Sequence, residues 1–172
     1  THLAAQAAKI AGIPLRIYGT IEDQGYFDTE IAPLLDEGVQ YGGHLQGADL
    51  TDAIGRASVL LFTPLWDEPF GLAAIEAMAC GLPIAAVENG AIREVAGDVA
   101  HYAVADAGEL AEALRAAVGI SRLAARMRVE RLFTVERMLG AYEGLYVRAI
   151  DAVWDVSEVP SFEAFELPPA LI

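Results

Sequence analysis

The sequence predicts an α/β domain of Rossmann-like, three-layer architecture with a mostly parallel sheet of about five strands. Three observations carry this. Five short apolar runs alternate with longer segments of helical period. One run, SVLLFT at 58–63, is apolar on both alternating faces, as a strand covered by helices on both sides must be. The 172 residues are enough for one sizeable core, and 55% of them are hydrophobic.

Residues 1 to 11 already have a helical pattern, so residue 1 is expected to fall inside an element. The strands are expected at Leu15 to Tyr18, Val39 to Tyr41, Ser58 to Thr63, Pro83 to Val87 and Ala100 to Val104. A helix starting near Phe70 or Gly71 should end at Gly81 with Pro83 behind it, by a glycine cap and a proline stop. Asp106 with Glu109 three residues on reads as a capping box, and Thr134 stands before an amphipathic stretch through Val153. The last residues hold Pro160, Pro168 and Pro169 and read as a tail, 154–172, on a domain of residues 1–153. Trp154, Phe162 and Phe165 would anchor it.

A formal charge of −14 repels polyanions, which makes nucleic acid and anionic membranes poor partner candidates, and no nucleic-acid partner is expected. No apolar run reaches the ~20 residues that span a bilayer, so the chain is expected to be cytoplasmic with no transmembrane segment. Cys80 is the only cysteine, which rules out an intrachain disulfide and fits a reducing compartment; it is expected to be packed. The three histidines, His2, His44 and His101, show no metal-ligand spacing. His44 follows two glycines at a strand end and reads as a surface residue, His101 as a satisfied strand residue.

The chemistry is concentrated in FTPLWDEPFGLAAIEAMACGLPIAA. A strand ends at Thr63, a loop runs from Pro64 to Pro69, and a helix follows; ligands of parallel sheets bind at such carboxyl ends. The amides of Phe70, Gly71 and Leu72 belong to the free donors of a first helical turn and suit a phosphate. The plainer alternative is that Asp67 or Glu68 caps the helix. Glu76 is the only charged residue from Gly71 to Cys80, in a helix apolar enough to be buried nearly all round. Such a carboxylate needs a partner, either an arginine such as Arg56 or Arg93, or the two hydroxyls of a diol. Trp66 beside this loop reads as packing, or as a wall of the cleft.

With Glu68 and Glu76 separated by seven residues, Pro69-Phe70-Gly71 between them and Glu-Ala-Met-Ala-Cys-Gly following, WDEPFGLAAIEAMACGLPIAA resembles the donor-site signature of family 4 retaining glycosyltransferases of the GT-B fold. The resemblance extends through the flanking segments to about Val153. It implies the C-terminal half of a GT-B enzyme, with a nucleotide sugar as donor (UDP-, GDP- or ADP-linked), no tightly bound cofactor and no metal. By this resemblance Glu68 would contact hydroxyls of the donor sugar and Glu76 the ribose hydroxyls. Phe70, Gly71 and Leu72 would offer amides to the phosphates, and Gly90 and Ala91 would line the donor near the sugar. Arg93 stands where the family more often has proline.

The family's first strand carries an arginine and then a lysine directed at the donor phosphates, and Thr1 aligns just after that lysine. The resemblance therefore implies that the first strand, central in the sheet, and both basic groups are missing from residues 1–172, as is the N-terminal GT-B domain that binds the acceptor. The isolated chain is expected to be weakly active or inactive as a transferase. Two other readings stand beside it: a non-catalytic nucleotide-sugar-binding module, which would keep Glu76 and the helix-start amides, and a GT-B relative such as a nucleotide-sugar epimerase, which shares the architecture but is not expected to show this glutamate spacing.

Overall fold

The structure is a computed structural model describing residues 1–154, with side chains through 151; the anchoring role of Trp154, Phe162 and Phe165 lies outside the described residues. In chain order the elements are α1 (His2–Ala11), β1 (Leu15–Ile17), α2 (Gln24–Tyr26), β2 (Val39–Tyr41), α3 (Gly47–Arg56), β3 (Leu60–Phe62), α4 (Leu72–Ala79), β4 (Ile84–Val87), α5 (Ile92–Ala96), β5 (Ala100–Ala103), α6 (Ala107–Ala117), α7 (Arg122–Leu132) and α8 (Val135–Trp154). The five strands fall where the apolar runs place them, and all their pairings are parallel. No described helix is long and apolar enough to cross a membrane.

The strands form two sheets rather than one: β1 pairs with β2, and β3, β4 and β5 lie side by side in that order. These neighbour relations are those of positions 3-2 and 4-5-6 in the doubly wound order 3-2-1-4-5-6, in which one position lies between β1 and β3. This corrects the expectation for SVLLFT. β3 pairs only with β4, and Leu60 and Leu61 remain half-buried. The strand paired on both edges is β4, buried at all four residues.

The main core is made largely of small residues. Leu3 and Ala7 of α1, one helical turn apart, meet Ala85 and Val87 of β4 and Leu110, Ala111, Leu114 and Ala117 of α6. Alanines at these contacts let the helices lie close, and removing the larger Leu110 or Leu114 side chains would leave voids that the alanines cannot fill.

Local signals are realised with small changes. Asp106 accepts from the amides of Gly108 (2.8 Å) and Glu109 (3.0 Å), which is the capping half of the box. α4 closes as expected, with Gly81 N–H donating to Met78 and Leu82 N–H to Ala77. It starts at Leu72, with Gly71 as its N-cap.

The chain divides into two compact units, Thr1–Val129 and Glu130–Ile172. In the first, arginines of α7 terminate other helices. Arg122 donates to the carbonyls of Ala57, Gly55 and Cys80, Arg126 to Ala79, and Arg128 to Glu94 and Val95. These carbonyls sit at the ends of α3, α4 and α5, where a cation also meets the negative end of the helix dipole. Arg122→Ala removes three hydrogen bonds that tie the ends of α3 and α4 to α7 and is expected to lower stability by about 1 kcal/mol, read as a lower urea midpoint at unchanged m-value. In the second unit, the Thr134 hydroxyl accepts from the Arg137 amide at the start of α8. Val135, Met138, Leu139, Tyr142, Tyr146 and Ile150 form an exposed stripe at helical spacing along it.

Candidate functional site

Because β3 and β4 are neighbours and parallel, the loops leaving their carboxyl ends lie side by side. The first runs from Thr63 to Gly71, the second from Glu88 to Ala91. They are tied through the backbone: Ala91 N–H donates to the Glu68 carbonyl at 2.9 Å. Gly90 lies so close that a Cβ there would be 2.4 Å from the Glu68 carbonyl oxygen and 2.5 Å from its nitrogen. Its φ of 57° is also one that L side chains rarely adopt. Glu68, Gly90 and Ala91, far apart in sequence, are thus one local structure.

The Glu68 carboxylate is half-buried, and its Oε1 accepts from the Gly71 amide at 3.1 Å. One of the amides considered for a phosphate is therefore occupied by that carboxylate, while α4 itself begins with no side-chain cap, its N-cap being Gly71. Gly71 has φ 80°, and its nearest foreign atom is Phe62 Cζ, 3.4 Å from an ideal Cβ. Phe70 and Leu72 are exposed, at 47% and 63%.

Glu76 corrects a premise. It is exposed rather than buried, because α4 packs through Ala74, Ala77 and Met78 while Leu72, Ala73 and Glu76 face outward. Among the described residues neither Arg56 nor Arg93 pairs with it. Arg93 is engaged elsewhere, its Nε and a terminal nitrogen each 2.5 Å from the two oxygens of Glu88. Leu72, Ala73 and Glu76 thus make an open face of α4 at the edge that carries both loops.

Other expectations shift with the same cause, an uncovered edge. Trp66 is 59% exposed, together with Leu65, so it borders the loop instead of packing beneath it. His101 is exposed on β5 at the end of its sheet, which leaves it in solvent rather than satisfied in a core. His44 is a surface residue as expected, its ring 2.6 Å from the Gln46 amide nitrogen. Cys80 is free and half-buried.

Sequence reasoning missed Glu88 and Tyr102. The Arg93 guanidinium lies 4.3 Å from the centre of the Tyr102 ring, and the Tyr102 hydroxyl donates to the Gly97 carbonyl at 2.7 Å. The hydrogen bond from Arg93 holds the Glu88 carboxyl below the usual carboxylate range, and the same bond pushes Arg93 up. Burial pushes the Tyr102 phenol up. The signal available in sequence was the Glu-x-x-x-x-Arg spacing across a glycine-containing loop.

One cavity lies away from these loops. About 510 Å³ in volume, it sits at the amino ends of β1 and β2, where Lys9 and Asp36 pair with each other at 2.5 Å.

A parallel α/β domain with two interlocked loops and a helix start at adjacent strand ends belongs to the Rossmann-like class of ligand-binding domains. Residues 2–119 match the family described as glycosyl transferases group 1. The chain belongs to that family, and its fold matches about half of a GT-B glycosyltransferase chain. It is 33% identical over 135 residues to a D-inositol 3-phosphate glycosyltransferase of Mycobacterium avium, covering 69% of this chain and 32% of that one. Over 81 residues it is 44% identical to the enzyme of that name from Mycolicibacterium paratuberculosis, covering 41% of this chain and 18% of that one. The chain thus spans a third or less of these curated relatives. Among solved structures, a glycosyltransferase involved in avilamycin A biosynthesis superposes with a TM-score of 0.77 at 24% identity, over 88% of this chain and 48% of that one. Sucrose-phosphate synthase from Thermosynechococcus elongatus gives 0.70 at 26% identity, over 88% and 43%. Anabaena HepE in complex with UDP-glucose gives 0.66 at 22%, over 86% and 45%.

Proposed function

We propose that this domain holds a nucleotide sugar for transfer of its glycosyl group, with retention at the anomeric carbon, to an acceptor bound elsewhere in the complete protein. The observation that carries the reading is the union of Glu68 with Gly90 and Ala91 beside the exposed Glu76 face of α4. In this arrangement Glu76 accepts from both ribose hydroxyls, one per carboxylate oxygen. The amides of Phe70, Gly71 and Leu72 face the phosphates, and Gly90 and Ala91 border the sugar.

The Glu68–Gly71 hydrogen bond gives the site an order of events. A phosphate oxygen arriving at the helix start replaces the carboxylate on the Gly71 amide, and the released Glu68 turns to the sugar hydroxyls. Charge grows on the leaving phosphate during transfer, and amides already oriented stabilise it without reorganising. Asp67, Glu68, Glu76 and Glu88 make this edge acidic, and Arg93 is already neutralised by Glu88. Arg93 therefore offers the donor phosphates no free charge, and the chain alone is expected to have little or no transferase activity. Of the three candidate nucleotides, UDP is favoured because HepE, which shares the fold, is described with UDP and with UDP-glucose.

The test is calorimetric titration of the protein as its gene encodes it with UDP, GDP and ADP, repeated on Glu76→Ala. Two charge-assisted hydrogen bonds lost should weaken the preferred nucleotide by roughly 10- to 100-fold. Unchanged affinity in the variant would remove Glu76 from the ribose.

A further inference from the structure

We propose that Glu88, Arg93 and Tyr102 form a positioning clamp that fixes the height of the loop 88–91 over Glu68 and thereby sets the affinity for the sugar part of the donor. The proposal rests on the donor-site reading above and adds residues that do not touch the donor themselves.

The loop 88–91 joins the end of β4 to α5, a helix of five residues. One turn and a half of helix is too short to be stable by its own hydrogen bonds, so its place must be set by its neighbours. The structure shows what sets it. Glu88 at the start of the loop and Arg93 beyond its end are joined by two parallel hydrogen bonds, closing the loop at its base. Arg93 lies over the Tyr102 ring, and the Tyr102 hydroxyl holds the carbonyl of Gly97 just past the helix. A single β5 residue therefore touches α5 at both ends. At its tip the loop touches Glu68: Ala91 N–H on the carbonyl, Gly90 against the backbone.

Exposed ion pairs are usually worth little, and Arg93 and Glu88 are 60% and 48% exposed. This pair departs from the usual case in two ways. Its two-pronged geometry fixes the relative orientation of the groups as well as their distance, and the guanidinium is stacked on a ring that is itself anchored. The arrangement constrains geometry more than it adds stability. A shift of about 1 Å in the loop would break the Ala91–Glu68 hydrogen bond, whose tolerance is a few tenths of an ångström, and would displace Glu68 with it.

A direct role for Arg93 on the donor makes the opposite prediction for its partner. If Arg93 bound the donor itself, Glu88→Ala would free it and tighten binding; in a clamp, losing either member loosens the loop alike.

The experiment measures amide hydrogen exchange at Ala91 and calorimetric binding of UDP and of UDP-glucose, in the protein as its gene encodes it, for Glu88→Ala, Arg93→Ala, the double variant and Arg93→Lys. In both single variants Ala91 should exchange about tenfold faster, and Kd for UDP-glucose should rise about fivefold with Kd for UDP within about twofold. The double variant should be no worse than either single one. Arg93→Lys, which keeps the charge and loses the fork, should fall between. Unchanged Ala91 exchange in Arg93→Ala would overturn the clamp, as would tighter binding in Glu88→Ala with weaker binding in Arg93→Ala. Wild-type protein that shows the exchange pattern but binds no UDP-glucose would instead overturn the donor-site reading and leave the clamp as a purely structural device.

Discussion

Gly90→Ala is expected to lower stability by about 3 kcal/mol and to reduce affinity for the donor at least tenfold. Two costs add at this position. Backbone with φ 57° places an L side chain in the left-handed region, at roughly 1–2 kcal/mol. The new Cβ would also stand 2.4 Å from the Glu68 carbonyl oxygen and 2.5 Å from its nitrogen. Neither is the end of a flexible side chain, so relief requires one loop to move off the other, an overpacking cost of about 1–3 kcal/mol. The movement separates Ala91 from Glu68, and that is where the donor would be held.

Gly71→Ala serves as the control, because φ there is 80° but an added Cβ meets nothing closer than 3.4 Å. It carries the backbone cost without the collision, and should lose about half as much stability. Chemical denaturation of both variants, with nucleotide titration of whichever remains folded, decides the matter. Equal effects at the two glycines would show that the interlock of the loops does not matter.

The legible parts of this chain were those with a local cause. The apolar runs marked all five strands, the Asp106 cap and the Gly81 stop marked helix ends, and the spacing of Glu68 and Glu76 marked the loop that the structure ties to Gly90 and Ala91. What sequence could not give was the partner on the far side of an element. Glu76 looked buried because its helix is apolar, yet α4 covers only one of its faces. SVLLFT looked central because it is apolar on both sides, yet β3 pairs with β4 alone, and strand composition does not say which edges are paired. Arg93 looked like a candidate partner for Glu76 and instead closes its own loop on Glu88, a choice between two carboxylates that only geometry can make.

Extending the chain ahead of Thr1 by an apolar strand of about five residues and its turn, whether the natural upstream sequence or a designed one, is expected to raise stability by about 3 kcal/mol. At this chain length that is roughly 6–12 °C in Tm. The added strand's place would be between β1 and β3. β2 occupies one edge of β1 and β4 one edge of β3, leaving their other edges unpaired in the described sheets. A strand entering α1 and leaving into β1 must, by the right-handed crossover rule, lie beside β1 on its open side. Leu15 and Ile17 of β1 and Leu60 and Leu61 of β3 are half-buried, as side chains flanking such a position would be. Filling it adds ladder hydrogen bonds on both edges and completes the burial of these four residues, and the gain must exceed the cost of ordering the strand, about 1–2 kcal/mol per residue. A proline placed in the middle of the added strand removes a ladder donor and should cancel most of the gain. If the extended chain melts with residues 1–172, or if the proline variant is equally stable, β1 and β3 do not share a strand, and the doubly wound order is not the one this chain completes.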